Sequence, residues 1–253
     1  MSDFLLLGHK GYLGSYIHKN LDSDILDKRD VYNNGKLYQY IINCIGKANL
    51  EYCQENLEET NYSNATVILD IKKNYPDSKI INFSSYYVYD DVGFCTEASN
   101  TTDKYNYCKQ KLHGEQLNQD GINLRIGKLF GNTESNQNKL TEHIMQSNEL
   151  HIDTINFNPT SVQSIVKLLK NNLFLESNSG VFNFANGGFT NHYDYAVYIL
   201  NYLGLDKYLY KINKNARCFN NYGNFLMSID KIKKSIKINS WQSDLEKYLD
   251  NYK

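Results

Sequence analysis

The sequence is poor in the features that mark most alternative classes of protein. Its five cysteines, Cys44, Cys53, Cys95, Cys108 and Cys218, are odd in number and form no Cys-x-x-Cys pair. That pattern excludes a disulfide framework and a structural zinc site, and no metal is expected. No apolar run approaches the roughly 20 residues that span a bilayer. The opening MSDFLLLGHKG also has neither the basic start nor the length of a signal peptide. We therefore expect no membrane partner and a cytoplasmic location. Neither sign of charge accumulates: 27 Lys plus Arg stand against 28 Asp plus Glu, for a net charge of −1. A nucleic-acid partner is not expected from such a balance. Proline is nearly missing, with Pro76 and Pro159 the two present, while tyrosine reaches 22; neither bias carries functional information.

What is present is a chain of 253 residues, enough for one large α/β domain or for a cofactor domain with an appendage. Apolar, β-branched runs at Phe4–Leu7, Ile25–Leu26, Tyr40–Ile45, Lys79–Phe83 and Ile122–Ile126 alternate with helix-like stretches. Such alternation predicts βαβ units and a parallel sheet covered on both faces. One crossover is short: about ten residues separate Arg29 from Gln39, below the dozen a parallel crossover needs, so it reads as an extended loop. After residue 131 the pattern becomes irregular, with a helical stretch at Leu140–Ser147, a short strand at Val181–Phe184 and an amphipathic segment at Tyr193–Leu203.

The first strand runs straight into Gly8, Gly11 and Gly14 and then into a helix. Glycines at such a turn let backbone N–H groups and the positive helix end approach a pyrophosphate without a Cβ in the way. Asp27 lies 19 residues past Gly8, where an acidic side chain reaches the ribose of an adenine dinucleotide. Asp27 favours NADH, whereas Lys10, Lys28 and Arg29 suit the extra phosphate of NADPH; three cations against one carboxylate tilt the expectation to NADPH. The fold expected is α/β: a Rossmann-type doubly wound parallel sheet from residues 1–131 plus parts of 151–190. A smaller C-terminal substrate-binding lobe is drawn discontinuously from 132–253.

Two overlapping Tyr-x-x-x-Lys pairs follow, Tyr105 with Lys109 and Tyr107 with Lys111. Four residues apart on a helix, a lysine ammonium lies beside the phenol and lowers its pKa, giving a general acid near neutral pH. Ser84 and Ser85 end a buried strand, where open parallel sheets place ligands. The residues alone leave both tyrosine registers open.

GHKGYLG, FSSYYVYD and YCKQKLHGE, in this order, resemble the signatures of the extended short-chain dehydrogenase/reductases, and within them the dTDP-4-dehydrorhamnose reductases. LRIGKLFG, GVFNFANGGFTNHYDYA and ARCFNNYGNFLMSIDKIKKSI with Trp241 extend that resemblance over nearly the whole chain. The resemblance selects Tyr107 and Lys111 through the KLHGE ending, and it implies Ser85 as the active hydroxyl and Asn61 as the supporting asparagine. It implies cofactor contacts from Gly8, Lys10, Gly11, Tyr12, Leu13, Gly14, Asp27, Lys28, Arg29, Cys44, Ile45, Gly46, Ser84, Tyr107 and Lys111. It implies substrate contacts from Ser85, Tyr86 and Arg217, the last without the proline that normally follows it, since Cys218 stands there. The implied activity is NADPH-dependent reduction of a nucleotide-linked 4-keto-6-deoxy sugar by a homodimer. Tyr86 and Tyr87 follow Ser85 in place of an acidic pair, which disfavours dehydration. An epimerase holding NAD would need a further acid/base, for which Cys95, His113 and His143 are candidates; a scaffold without catalysis would need none of the set.

Overall fold

In the computed structural model, which describes residues 3–26, 31–90, 93–131, 140–212 and 225–253, six parallel strands form the central sheet. In chain order they are β1 (Phe4–Leu7), β2 (Asp24–Ile25), β3 (Tyr40–Asn43), β4 (Lys79–Ser85), β5 (Ile122–Ile126) and β6 (Gly180–Phe184). Their spatial order is β6-β5-β4-β3-β1-β2. The helices that cover this sheet include α1 (Tyr12–Asn20), α2 (Leu50–Glu55), α3 (Leu57–Asn61), α4 (Val67–Asn74) and α5 (Asn106–Leu117). This is the expected Rossmann-type architecture.

The apolar runs are continuous because both sheet faces are buried. Phe4, Leu6, Ile42, Ile81 and Phe83 pack with Leu13 and Ile17 of α1 and with the helix Val162–Leu169. The alternate residues Leu5, Leu7, Ile41 and Ile80 pack with Val67, Ile68 and Ile71 of α4. A buried amide ladder crosses the strands in register, Asn43 Nδ2 donating to Asn82 Oδ1 and Asn82 Nδ2 donating to Asn123 Oδ1.

The short crossover from β2 to β3 contains no helix among its described residues, 31–39. With no room for internal helical bonds, it takes its partners from the end of α4: Asn33 N–H donates to Asn74 Oδ1 at 3.1 Å, and the Tyr75 hydroxyl donates to Tyr32 O at 2.8 Å. Its own Val31 and Tyr38 are buried.

A second core forms the smaller lobe, where Phe130, Ile144, Leu150, Phe157, Tyr195, Ile199, Trp241 and Leu245 pack together. Its helices are Leu140–Gln146, His192–Leu203 and Trp241–Leu249. Short strand pairs connect it to the sheet, among them Lys128–Phe130 with Pro159–Ser161 and Asn156–Phe157 with Thr190–Asn191. The chain returns to the first core before it ends, since Met227, Ile229 and Ile232 pack there. No described helix is long and apolar enough to cross a membrane.

Candidate active site

The chain reverses direction across the sheet between β1 and β3, so the loops leaving these two neighbouring strands diverge and open a crevice at their carboxyl ends. The glycine loop sits there. Gly8 has a φ of +77°, and a Cβ on it would lie 2.7 Å from the Cys44 carbonyl carbon. A Cβ on Gly14 would lie 2.2 Å from Gly8 O, so α1 can pack onto the loop only with glycine here. Gly11, the N-cap of α1, is different, since its nearest neighbour would be Gly8 O at 3.4 Å. Its bareness is not demanded by internal packing and leaves the first N–H groups of α1 open to a phosphate. The loop therefore fits a dinucleotide. Tyr12 and Leu13 are buried at the start of α1, and Lys10 is exposed in the loop. Asp27, Lys28 and Arg29 lie outside the described residues, as does Arg217.

Ser85, Tyr107 and Lys111 converge on one cavity of about 360 Å³ at the end of β4. Ser85 is the last residue of β4; its oxygen accepts from Tyr87 N–H at 3.2 Å, which holds the side chain in the turn. That leaves its hydroxyl proton for Tyr107, with which it is hydrogen-bonded. Tyr107 and Lys111 stand one turn apart on α5 and are both buried. Cys44, Ile45 and Gly46 form the opposite wall after β3, and Leu13 and Tyr86 also line the space. Tyr86 and Tyr87 stack at 4.4 Å between ring centroids, and Tyr87 meets Tyr107 edge-on at 6.5 Å.

The electrostatics differ from the expected pairing. Burial pushes the Tyr107 phenol well above the usual tyrosine value, and the Ser85 hydrogen bond is the main influence lowering it. Lys111 is not among the main influences on it, and its amino group donates to Phe83 O at 2.9 Å. Burial pulls the Lys111 ammonium down to about 8. Cys44 is raised by burial as well, so it is a thiol and not a nucleophilic thiolate.

Two expectations need correction. Asn61 ends α3 and lines an outer groove with Lys109 and His113, away from the cavity. The buried asparagine is Asn64, within a π-helical turn, Tyr62–Thr66, that connects α3 to α4. Asn64 Oδ1 accepts from Lys47 N–H at 2.9 Å, and its Nδ2 donates to Lys47 O at 3.1 Å and to Gln110 Oε1 at 2.9 Å. A Cβ on Gly46 would lie 3.3 Å from both Asn64 Oδ1 and Lys111 Nζ, so these two groups border the same point. The wide π turn rotates the residues that follow it, which helical periodicity does not foresee. Ser84 borders the cavity, but its hydroxyl donates to Glu115 Oε1 at 2.5 Å. It is occupied by the buried Glu115–Arg125 pair (2.7 Å) and not directed to a ligand. Glu115 was legible only as the last residue of KLHGE; its partner across the sheet gave no signal.

The three acid/base candidates for epimerisation do not meet the cavity. Cys95 is buried in the strand Gly93–Cys95, His113 lines the outer groove, and His143 bonds Ser147 in the lobe.

A family model described as the RmlD substrate binding domain matches residues 3–253. No curated protein matches the sequence. Among solved structures, the fold is similar to a dTDP-4-dehydrorhamnose reductase of Clostridium acetobutylicum, with a TM-score of 0.85 and 20% identity over 98% of this chain and 99% of that one. It is similar to the enzyme of the same name from Bacillus anthracis in complex with NADP, with a TM-score of 0.83 and 17% identity over 99% of both chains. RMD from Pseudomonas aeruginosa, complexed with NADPH, aligns with a TM-score of 0.78 and 13% identity over 98% of both chains.

Proposed function

The chain belongs to the RmlD substrate-binding-domain family, and from that premise we propose that it is an NADPH-dependent reductase of a nucleotide-linked 4-keto-6-deoxy sugar. The observation that carries this reading is the meeting of Ser85, Tyr107 and Lys111 in one cavity beside a loop in which close packing demands glycine at Gly8 and Gly14. Similar folds bound to NADP and NADPH support the choice of cofactor. When bound, NADPH supplies the hydride.

The chain's own residues do the rest. Ser85 holds the keto oxygen of the substrate, and Tyr107 gives its proton to that oxygen as negative charge develops on it. Lys111 holds the nicotinamide ribose. Asn64, through Lys47 and Gln110, fixes the segment after β3 against α5 and supports the path by which Tyr107 regains its proton. Gly8, Gly11 and Gly14 admit the pyrophosphate, and the charges of Lys10, Lys28 and Arg29 suit the extra phosphate of NADPH. The family resemblance carries substrate contacts to Tyr86 and Arg217. The product serves the synthesis of a surface glycan.

We further infer a homodimer in the cytoplasm. The outer groove of α3 and α5, beside the half-exposed Leu57, supports self-association, and the odd number of cysteines with no Cys-x-x-Cys pair supports a reducing compartment.

The test is NADPH oxidation at 340 nm with 4-keto-6-deoxy sugars linked to dTDP, GDP, CDP or UDP, against Tyr107→Phe. Turnover with one substrate that disappears in the variant, with NADPH affinity retained, is the expected result. Unchanged turnover in Tyr107→Phe would move the acid elsewhere, and no turnover with any sugar would refute the reductase.

A further inference from the structure

The helix Trp241–Leu249 is bonded to both halves of the molecule. Trp241, Leu245, Tyr248 and Leu249 pack into the core of the smaller lobe, and Glu246 Oε1 accepts from the Tyr198 hydroxyl of the helix His192–Leu203 at 2.5 Å. Asp244, on the same helix, has its partners elsewhere. Its side chain is 0% exposed, and its Oδ2 accepts from Ser164 Oγ at 2.5 Å and from Asn186 Nδ2 at 2.8 Å. Ser164 lies on the helix Val162–Leu169, which packs on the central sheet, and Asn186 follows β6. The other oxygen, Oδ1, accepts from Asn239 Nδ2 at 2.8 Å and from Nζ of the half-exposed Lys247 at 3.2 Å.

A carboxylate taken wholly out of water is costly unless donors replace its hydration. Here the donors suffice. Burial by itself raises the carboxyl, and the bonds from Ser164, Asn239, Asn186 and Lys247 outweigh it, so Asp244 is held below the usual carboxylate value and stays charged. Both donors to Oδ2 come from the cofactor-binding half, so turning the lobe away would strip one oxygen of a buried charge of its partners. Such a junction favours one geometry and opposes partial separation.

Asn186 carries that geometry to the cavity. Its Oδ1 accepts from Ser161 N–H at 2.7 Å, and its own N–H donates to Pro159 O at 3.1 Å. The strand Pro159–Ser161 pairs with Lys128–Phe130, and Lys128 and Leu129 line the cavity that holds Ser85, Tyr107 and Lys111. A continuous run of hydrogen bonds therefore joins the helix Trp241–Leu249 to one wall of the site. None of the four donors to Asp244 belongs to the glycine loop, to α1 or to residues 44–46, so the side that fits the dinucleotide lies outside this run.

Resting on the proposed reductase reading, we propose that Asp244 is a positioning residue that fastens the smaller lobe to the cofactor-binding half. Through Asn186 and the strand Pro159–Ser161 it sets the wall against which the sugar nucleotide is bound. It acts on sugar binding and not on NADPH binding.

The experiment joins steady-state kinetics with hydrogen/deuterium exchange on the NADPH-bound protein. The variants are Asp244→Asn, Ser164→Ala, the double variant Asp244→Asn with Asn186→Asp, and Ile199→Ala. The last opens a cavity in the lobe core, where Ile199 is buried, and touches none of these bonds. In Asp244→Asn an amide N–H group is set against donors whichever way the amide turns. The KM for whichever 4-keto-6-deoxy sugar turns over, linked to dTDP, GDP, CDP or UDP, should rise roughly tenfold, as for loss of one hydrogen bond to a charged group. The Kd for NADPH should stay at the wild-type value, and amide exchange should quicken at residues 160–161 and in Lys128–Phe130 but not in β1. Ser164→Ala should give a smaller rise of the same kind. The double variant should recover, since the carboxylate at position 186 can accept from Ser161 N–H and from the amide at position 244. Ile199→Ala should lower Tm while leaving KM and exchange in the two strands unchanged. Wild-type KM and exchange in Asp244→Asn, an equal loss of NADPH binding, no recovery in the double variant, or the same rise in KM in Ile199→Ala would overturn the proposal and leave the reductase reading intact. Absence of wild-type turnover with all four sugars would refute that reading, and unchanged exchange in Asp244→Asn would then still overturn the fastening role by itself.

Discussion

Replacing Asn64 separates a working asparagine from a nearby one that only looks suitable. In Asn64→Ala three hydrogen bonds of 2.9–3.1 Å disappear, two to the Lys47 backbone and one to Gln110 Oε1. Lys47 is exposed, so water replaces much of what its backbone loses. Gln110 is 4% exposed, and its oxygen is left without that donor, which costs about 1–3 kcal/mol for a buried polar group. With about 2 kcal/mol lost, Tm falls by roughly 4–8 °C for a chain of this size. Activity falls too, because Asn64 Oδ1 and Lys111 Nζ border the same point beside Gly46; kcat drops by about tenfold or more while NADPH binding persists. Asn61→Ala removes a side chain from the outer groove, changing stability by no more than about 0.5 kcal/mol and leaving kcat alone. Thermal denaturation and initial rates on both variants decide the matter. A loss of turnover in Asn61→Ala, or an Asn64→Ala protein with wild-type Tm and kcat, would refute the assignment.

The difference between these two asparagines also shows where sequence reasoning reached its limit. The sheet was legible because burial on both faces leaves unbroken apolar runs: Ile122–Ile126 has the same ends in the sequence pattern as in β5. The glycine loop was legible because close approach can be met only by glycine, and the contacts at Gly8 and Gly14 now show which atoms impose it. The serine, tyrosine and lysine could be placed because a strand end and a four-residue helical spacing are local features. Asn64 was missed because it depends on a π turn, a local change of pitch that apolar periodicity does not report. Ser84 was misassigned for another reason: its partner Glu115 lies 31 residues away, and nothing near Ser84 in the chain reveals that its hydroxyl is taken. In each case the sequence showed what one segment can do, and the site needed what two segments do together.

The glycines and the lysine provide the remaining tests. Gly14→Ala places a Cβ 2.2 Å from Gly8 O, an overpacking that costs about 1–3 kcal/mol or more, so both Tm and NADPH binding should fall. Gly11→Ala should keep its Tm and weaken NADPH roughly tenfold, the equivalent of one phosphate hydrogen bond; fluorescence titration that found unaltered affinity would remove Gly11 from the phosphate site. Lys111 predicts opposite trends for activity and stability with pH. Its ammonium is pulled down to about 8 by burial, and the charged form is the one proposed to hold the ribose, so kcat/KM should decline as pH rises through about 8. The unfolded chain keeps a lysine value of about 10.4, so burial penalises folding with the ammonium intact. That penalty is complete below pH 8 and is relieved between pH 8 and about 10 as the folded protein releases the proton first. Wild-type Tm measured against Lys111→Met should therefore gain relative to the variant across that interval, just where wild-type activity is being lost. A difference in Tm that stays flat from pH 7 to 10 would mean that Lys111 is not held charged against a burial penalty, and the hold on the ribose would need another cation.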